Sequence, residues 1–315
     1  LGHTNLAVMV DRPFEPDARF NFGQLKRAAS IIVRLLDNVL DVTLWPTEEQ
    51  AAEARAKRRV GLGFTGLASA LQQLGISYGS DRAVEFTRAV ARAQAEAAYQ
   101  TSIGLARERG EFPEFDRDKY CAAPFLQKLS PAICRGIEVR GIRNGVLLSI
   151  APTGTTSLVV GNVSSGIEPV FAHSFSRKVR GGNGEMEKEY QVYDYGYLKY
   201  CEKMQFDPEI YAAPSCRGIL PAGFVVADQL TVEQHLRMAA AAQEWTDAAI
   251  SKTINCPESM TFDQFRDVYS RAYALGLKGC TTYRPNPQSG RGAVLETSAQ
   301  LGGMDKLEQE EAHHV

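Results

Sequence analysis

The segment Ser149–Gly161, "SIAPTGTTSLVVG", bears on the fold and the chemistry together. A short apolar run, Val146 to Ile150, stops at Pro152, and apolar residues resume only at Leu158. An apolar run of this length, bounded by a proline, reads as a buried strand. Directly after it, Thr153, Thr155, Thr156 and Ser157 surround Gly154. A bare Gly154 backbone lets a phosphate approach, the hydroxyls can donate protons, and a helix starting here would aim free N–H groups at the anion. The same residues would equally serve as a Ser/Thr-rich N-cap that satisfies only its own helix. Locally, the sequence leaves both readings open.

Working outward, helical periodicity dominates. "NFGQLKRAASIIVRLLDNVLDVT" (residues 21–43) places Leu25, Ala28, Ala29, Ile32, Leu35, Leu36 and Val39 on one side. "TEEQAAEARAKRR" predicts a helix with Thr47 as N-cap and acids in its first turn. "LASALQQLG" is a further helix ended by Gly75, and a long one runs from Ser80 to about Arg109. Two more follow, "TVEQHLRMAAAAQEWTDAAISKT", with a capping-box start at Thr231 and Gln234, and "TFDQFRDVYSRAYALG". Strands are expected at "LAVMV", "GVLLSI", "FAHSFSRKV" and "LKGCTTY", with loops over roughly 112–140 and 180–191. Helices separated by short buried strands indicate an α/β architecture with a largely parallel sheet. From Pro285 the composition turns Gly-, Gln- and Glu-rich, so residues 286–315 read as a flexible tail behind one body, residues 1–285.

The chain has 315 residues, 44% hydrophobic and 23% charged, enough for a large core. A formal net charge of −2 argues against nucleic acid as the main partner. No apolar run approaches the roughly 20 residues that span a bilayer, so no membrane association is expected. Six widely spaced cysteines without a CxxC pair suit a reducing, cytoplasmic setting. The chain opens at Leu1 without Met, and further sequence upstream is expected.

Competing motifs are weaker. "GLGFTG" (Gly61–Gly66) fits GxGxxG, with Asp81 about 20 residues on, and suggests an NAD(P)-dependent oxidoreductase. It follows "AEARAKRR", which is charged and helical where a dinucleotide fold needs an apolar strand, so its glycines more simply permit close packing. The five histidines, His3, His173, His235, His313 and His314, show no metal-ligand spacing, and no metal site is expected. Asp37 and Asp41 share a helix face, as an acid–base couple or, more simply, a structural pair. Cys280, in the last strand, reads as a buried thiol.

Several segments together resemble one family, the catalytic subunits of ribonucleotide reductases. They are "LGHTNLAVMV", "LLDNVLDVTLWP", "RRVGLGFTGLASAL", "RNGVLLSIAPTGTTS", "NVSSGIEP", "ISKTINCPESMT" and "YALGLKGCTTYRPN", and they occur in the family's order across residues 1 to about 290. The resemblance implies the C-terminal part of a ten-stranded α/β barrel with flanking helices. It also implies that Pro152, Thr153, Gly154, Thr155 and Thr156, with Ser157 close behind, bind the substrate's phosphates. Oxygen-dependent members carry two adjacent tyrosines in the final strand; Thr281 and Thr282 stand at those positions. "KGCTTYRPN" is instead similar to the adenosylcobalamin-dependent class, in which a cysteine thiyl radical initiates reduction of ribonucleotides to 2′-deoxyribonucleotides for DNA synthesis.

The family's radical and redox cysteines match positions upstream of Leu1, and the tail "EQEEAHHV" carries no cysteine pair. The resemblance therefore implies a partial catalytic subunit, inactive alone. Its expected partners are a ribonucleotide, the N-terminal half of the reductase, a thioredoxin-type reductant and, when complete, a second copy in a homodimer. A non-catalytic module that pairs with a complete reductase is the remaining alternative.

Overall fold

The computed structural model describes residues 1–179, 188–211 and 220–284. Cys216, the tail expected over 286–315 and its two histidines lie outside the described residues. Strands are β1 (Gly2–Asn5), β2 (Val10–Asp11), β3 (Arg19–Phe20), β4 (Leu62–Thr65), β5 (Ser174–Val179), β6 (Lys188–Tyr193), β7 (Thr253–Asn255) and β8 (Thr281–Tyr283). Helices are α1 (Phe22–Val42), α2 (Glu48–Lys57), α3 (Leu67–Gln73), α4 (Asp81–Arg109), α5 (Arg117–Cys121) and α6 (Pro131–Arg140). They continue with α7 (Thr156–Val159), α8 (Tyr195–Met204), α9 (Pro208–Tyr211), α10 (Val232–Gln243) and α11 (Phe262–Ala274).

The sheet is parallel and follows the chain. β1 pairs β4 with Gly2 opposite Leu62, and β7 pairs β8 with Thr253 opposite Thr281. The apolar run 146–150 fills the gap beside β4: the Val60 and Leu62 amides donate to the Val146 and Leu147 carbonyls, at 2.9 and 2.8 Å. Its other edge meets 248–251 through parallel bridging of Ile150 with Ile250, and that stretch runs on into β7. Five parallel segments result, in the order β1, β4, 146–150, 248–255, β8. The resemblance implies ten strands in a closed barrel; among the described residues the array is open, with no strand outside β1 or β8.

Close pairing of β4 with 146–150 depends on Gly63. A Cβ there would sit 2.5 Å from the Ser149 carbonyl oxygen. "GLGFTG" is thus the strand itself, with Gly66 (φ +76°) turning directly into α3. A dinucleotide site would need its glycines after the strand, and Asp81 is an exposed partner of Arg237 instead.

The helices largely match their sequence signals. Asn21 caps α1 by accepting from the Gln24 amide, and Thr47, Ser80, Thr231 and Thr261 cap α2, α4, α10 and α11. On α1 the buried stripe is Leu25, Ala29, Val33 and Leu36; Leu35 and Val39, expected on the same side, are exposed. The spacing of 4, 4 and 3 keeps that stripe narrower than the sequence pattern suggests. α4 is rich in buried alanine, which lets α1, α6 and α10 pack closely around it.

Four expectations are corrected. The strand at the start is "GHTN", while Leu6–Val8 form a 3-10 turn because the Asn5 side chain accepts from the Ala7 amide. The expected loop over 112–140 contains α5 and α6, the latter opened by Pro131, whose fixed φ suits a first turn. The expected loop over 180–191 gives way at Lys188 to β6, paired antiparallel with β5. α10 ends at Gln243, whose side-chain amide donates to the carbonyls of Thr246 and Ala248 and draws the chain out of the helix.

His235 of α10 is fully buried, and burial, aided by the nearby Lys252 ammonium, lowers its pKa from 6.5 to about 3. The folded chain holds a neutral imidazole, whereas the unfolded chain takes up a proton near pH 6.5. Stability from this group is therefore complete above pH 6.5 and is lost progressively as the pH falls toward 3. In urea unfolding from pH 8 to pH 4, His235→Leu is expected to flatten that loss. Superimposable pH profiles for parent and variant would contradict it.

Candidate functional site

Pro152 to Ser157 emerge from the C-terminal end of the central segment, 146–150, and pass into the single turn of α7. The strand ends because proline cannot donate to a ladder. Thr153 then takes a left-handed conformation, φ +52°, uncommon for a β-branched residue. What holds it is its hydroxyl, which lies 3.0 Å from the Thr65 hydroxyl and accepts from the Gly166 amide at 2.7 Å. Thr153 is only 8% exposed.

The hydroxyls around Gly154 divide into two sets. Thr153 and Ser157 are buried, and Ser157 lies 3.0 Å from the Ser165 hydroxyl, so both tie the turn to the protein. Pro152, Gly154, Thr155 and Thr156 are exposed. Thr155 occupies the N-cap position of α7 yet makes no side-chain capping bond. The Thr156 and Ser157 hydroxyls reach back only weakly, 3.4 Å each, to the carbonyls of Thr153 and Gly154. Among the described residues, nothing accepts from the amides of Gly154, Thr155 and Thr156. A Cβ built on Gly154 meets nothing within 4 Å. The turn therefore offers three free amide donors, the free hydroxyl of Thr155 and the weakly held hydroxyl of Thr156 beside open space, an arrangement suited to an oxyanion. Self-capping, the competing reading, lacks its hydrogen bond.

A neighbouring turn, 163–168, supports this one and gave no periodic signal of its own. The Ser164 hydroxyl accepts from the Ala68 and Ser69 amides at the start of α3, and its carbonyl accepts from the Gly66 amide and the Thr65 hydroxyl. Gly166 (φ +52°) fits because a Cβ would lie 2.7 Å from the Ala151 carbonyl oxygen. Glu168 accepts from Lys252, at 2.5 Å, and from the Thr253 amide, at 2.6 Å. Lys252 is fully buried; burial pushes its pKa down while the Glu168 carboxylate opposes that. The 163–168 turn is thereby fastened to β7 at one end and to α3 at the other.

The remaining candidates separate from this end. Asp37 is buried in an ionic network and Asp41 holds Arg58, so the pair is structural. Cys256 and Cys280 carry raised thiol pKa values through burial. On β8, Thr282 meets the Tyr269 hydroxyl of α11 at 3.0 Å, while Thr281 and Tyr283 are exposed. Among the described residues, no group of three or more His, Cys, Asp or Glu could hold a metal ion, and no helix is long and apolar enough to cross a membrane.

Comparison with known proteins places this geometry in context. The model of the family described as "Ribonucleotide reductase, barrel domain" matches residues 1–283. A vitamin B12-dependent ribonucleoside-diphosphate reductase of Mycobacterium tuberculosis is 36% identical over 308 residues, 95% of this chain and 40% of that protein. The protein of the same name from Thermoplasma acidophilum is 30% identical, over 90% of this chain and 35% of its own length. A ribonucleoside-diphosphate reductase subunit alpha of Chlamydia pneumoniae is 29% identical over 82% of this chain and 27% of that protein. The chain thus spans two fifths or less of the length of these relatives.

Proposed function

The chain belongs to the ribonucleotide reductase barrel-domain family, and from that premise we propose that it holds a ribonucleotide substrate's phosphates for reduction to a 2′-deoxyribonucleotide. In this reading the five parallel segments are one half of a ten-stranded α/β barrel. Pro152, Thr153, Gly154, Thr155, Thr156 and Ser157 are its substrate-binding residues. Thr153 and Ser157 fix the turn, and the amides of Gly154 to Thr156 with the hydroxyls of Thr155 and Thr156 grip the phosphate. The observation that carries this is the set of three amides left free beside open space.

The proposed cofactor is adenosylcobalamin, in keeping with the vitamin B12 dependence in the names of the relatives. A corrin ring supplies most of the cobalt's ligands itself, so the lack of a metal-binding cluster among the described residues is compatible with it. The last strand fits as well: its exposed face carries Thr281 and a single phenol, Tyr283, and these would border the cofactor. When bound, the cofactor supplies a carbon radical by cobalt–carbon homolysis. The thiyl-forming and redox cysteines are assigned to the N-terminal half of the barrel, carried on the same chain or another. A thioredoxin-type reductant, a homodimer of the completed enzyme and a cytoplasmic location belong to the same proposal.

The test is direct. Titrating the 315-residue chain with ADP, followed by amide NMR, is expected to move the signals of Gly154, Thr155 and Thr156 most. Saturable ADP binding that leaves those three unmoved would refute the phosphate assignment.

A further inference from the structure

At the opposite end of the strands, a second arrangement concerns neither the Thr-Gly turn nor the sheet. α1 ends beside Arg58, which terminates α2 in a left-handed conformation (φ +46°) and sends its guanidinium to Asp37 and Asp41. Arg143, just before the central strand, reaches the same Asp37, as does Arg109 from the end of α4. Between these elements lies a cavity of about 330 Å³. Arg55, Arg58 and Arg143 line it together with Trp45, Leu40 and Pro113.

The charges there do not balance. Four guanidiniums, those of Arg55, Arg58, Arg109 and Arg143, face two carboxylates, Asp37 and Asp41. All three nitrogens of Arg58 are engaged by those carboxylates, and Nη1 of Arg109 donates to Asp37 and Asn38. Arg55 has no partner among the described residues, and neither has Nη2 of Arg143, whose other nitrogens serve Asp37 and the carbonyls of Arg109 and Gly110. Spare, forked N–H donors with net positive charge match phosphate or carboxylate oxygens. The half-buried indole of Trp45, with Leu40 and Pro113, supplies a flat apolar wall at the same mouth. The volume falls within the range of small-molecule sites.

We propose that this cavity is a binding site for a small phosphate monoester carrying an aromatic ring, the phosphate on Arg55 and Arg143 and the ring against Trp45. It stands independently of the Gly154 turn, which lies past the other end of the 146–150 strand.

The experiment titrates the full 315-residue chain with phenyl phosphate, inorganic phosphate and phenol by calorimetry at low salt. Phenyl phosphate is expected to bind about tenfold more tightly than inorganic phosphate, and phenol not measurably. Arg55 is exposed and unpaired, so Arg55→Ala should weaken phenyl phosphate about tenfold with the thermal midpoint unchanged. Trp45→Leu should bring phenyl phosphate down to the level of inorganic phosphate. Equal affinity in parent and Arg55→Ala overturns the proposal, as does a phenyl phosphate signal no stronger than that of inorganic phosphate. A signal abolished by Gly154→Asp but not by Arg55→Ala would place the ligand at the other end and overturn it too, leaving the phosphate assignment of the turn intact.

Discussion

Asp37→Ala is expected to lower the unfolding free energy by about 3–5 kcal/mol, the largest effect of any single side chain considered. Asp37 is 0% exposed and takes Arg58 in a two-pronged contact, with Nε and Nη2 at 3.0 and 2.8 Å from one oxygen. Arg109 and Arg143 approach the other oxygen, and the Asn144 side-chain amide donates to both Asp37 and the Arg58 carbonyl. One carboxylate thus ties α1 to the end of α2, the end of α4 and the entry to the central strand. Removing it leaves the Arg58 guanidinium, 6% exposed, with Asp41 as its one remaining carboxylate beside the main-chain carbonyl of residue 37. Guanidinium chloride unfolding, with an unchanged slope and a lowered midpoint, is the measurement. A loss below about 1 kcal/mol would show the network to be dispensable.

Gly154→Asp is expected to weaken ADP binding by at least about 30-fold while leaving stability within about 0.5 kcal/mol. The space in front of Gly154 is empty, so the new side chain meets no steric obstacle. Its carboxylate would then stand where the phosphate oxygens are proposed to sit, replacing donors' attraction with like-charge repulsion. Calorimetric titration and a thermal melt on the same sample separate the two effects. Unchanged ADP affinity in a folded variant would remove the turn from the binding site.

Residues whose environment is local were read correctly from the sequence. Thr47 and Thr231 were read as caps and do cap, each accepting from an amide three residues on, and Asn21, Ser80 and Thr261, which open the other stretches read as helices, do the same. The break at Pro152 and the turn at Gly154 were legible for the same reason, although 146–150 joins the sheet through single bridges rather than as the continuous strand expected. What the sequence did not disclose was which hydroxyls turn inward. Thr153 and Ser157 are buried because Thr65, Ser165 and the Gly166 amide await them, and two of those partners belong to a segment without periodicity. Glu168 and Lys252 escaped notice likewise: they are 84 residues apart and meet only through the fold. Leu35 and Val39 fit the apolar pattern of α1 yet face out, since α4 covers a narrower strip than the pattern offers.

The sheet order also bears on how the chain assembles. Each parallel segment has its neighbour on the side already made: 62–65 adds to 2–5, 146–150 to 62–65, 248–251 to 146–150, and 281–283 to 253–255. As a ribosome delivers the chain, each of these segments after 2–5 finds its neighbour already synthesised when it emerges. Growth by accretion on a standing edge shortens the time that any strand spends with both flanks bare, when misassociation with other nascent chains is most dangerous.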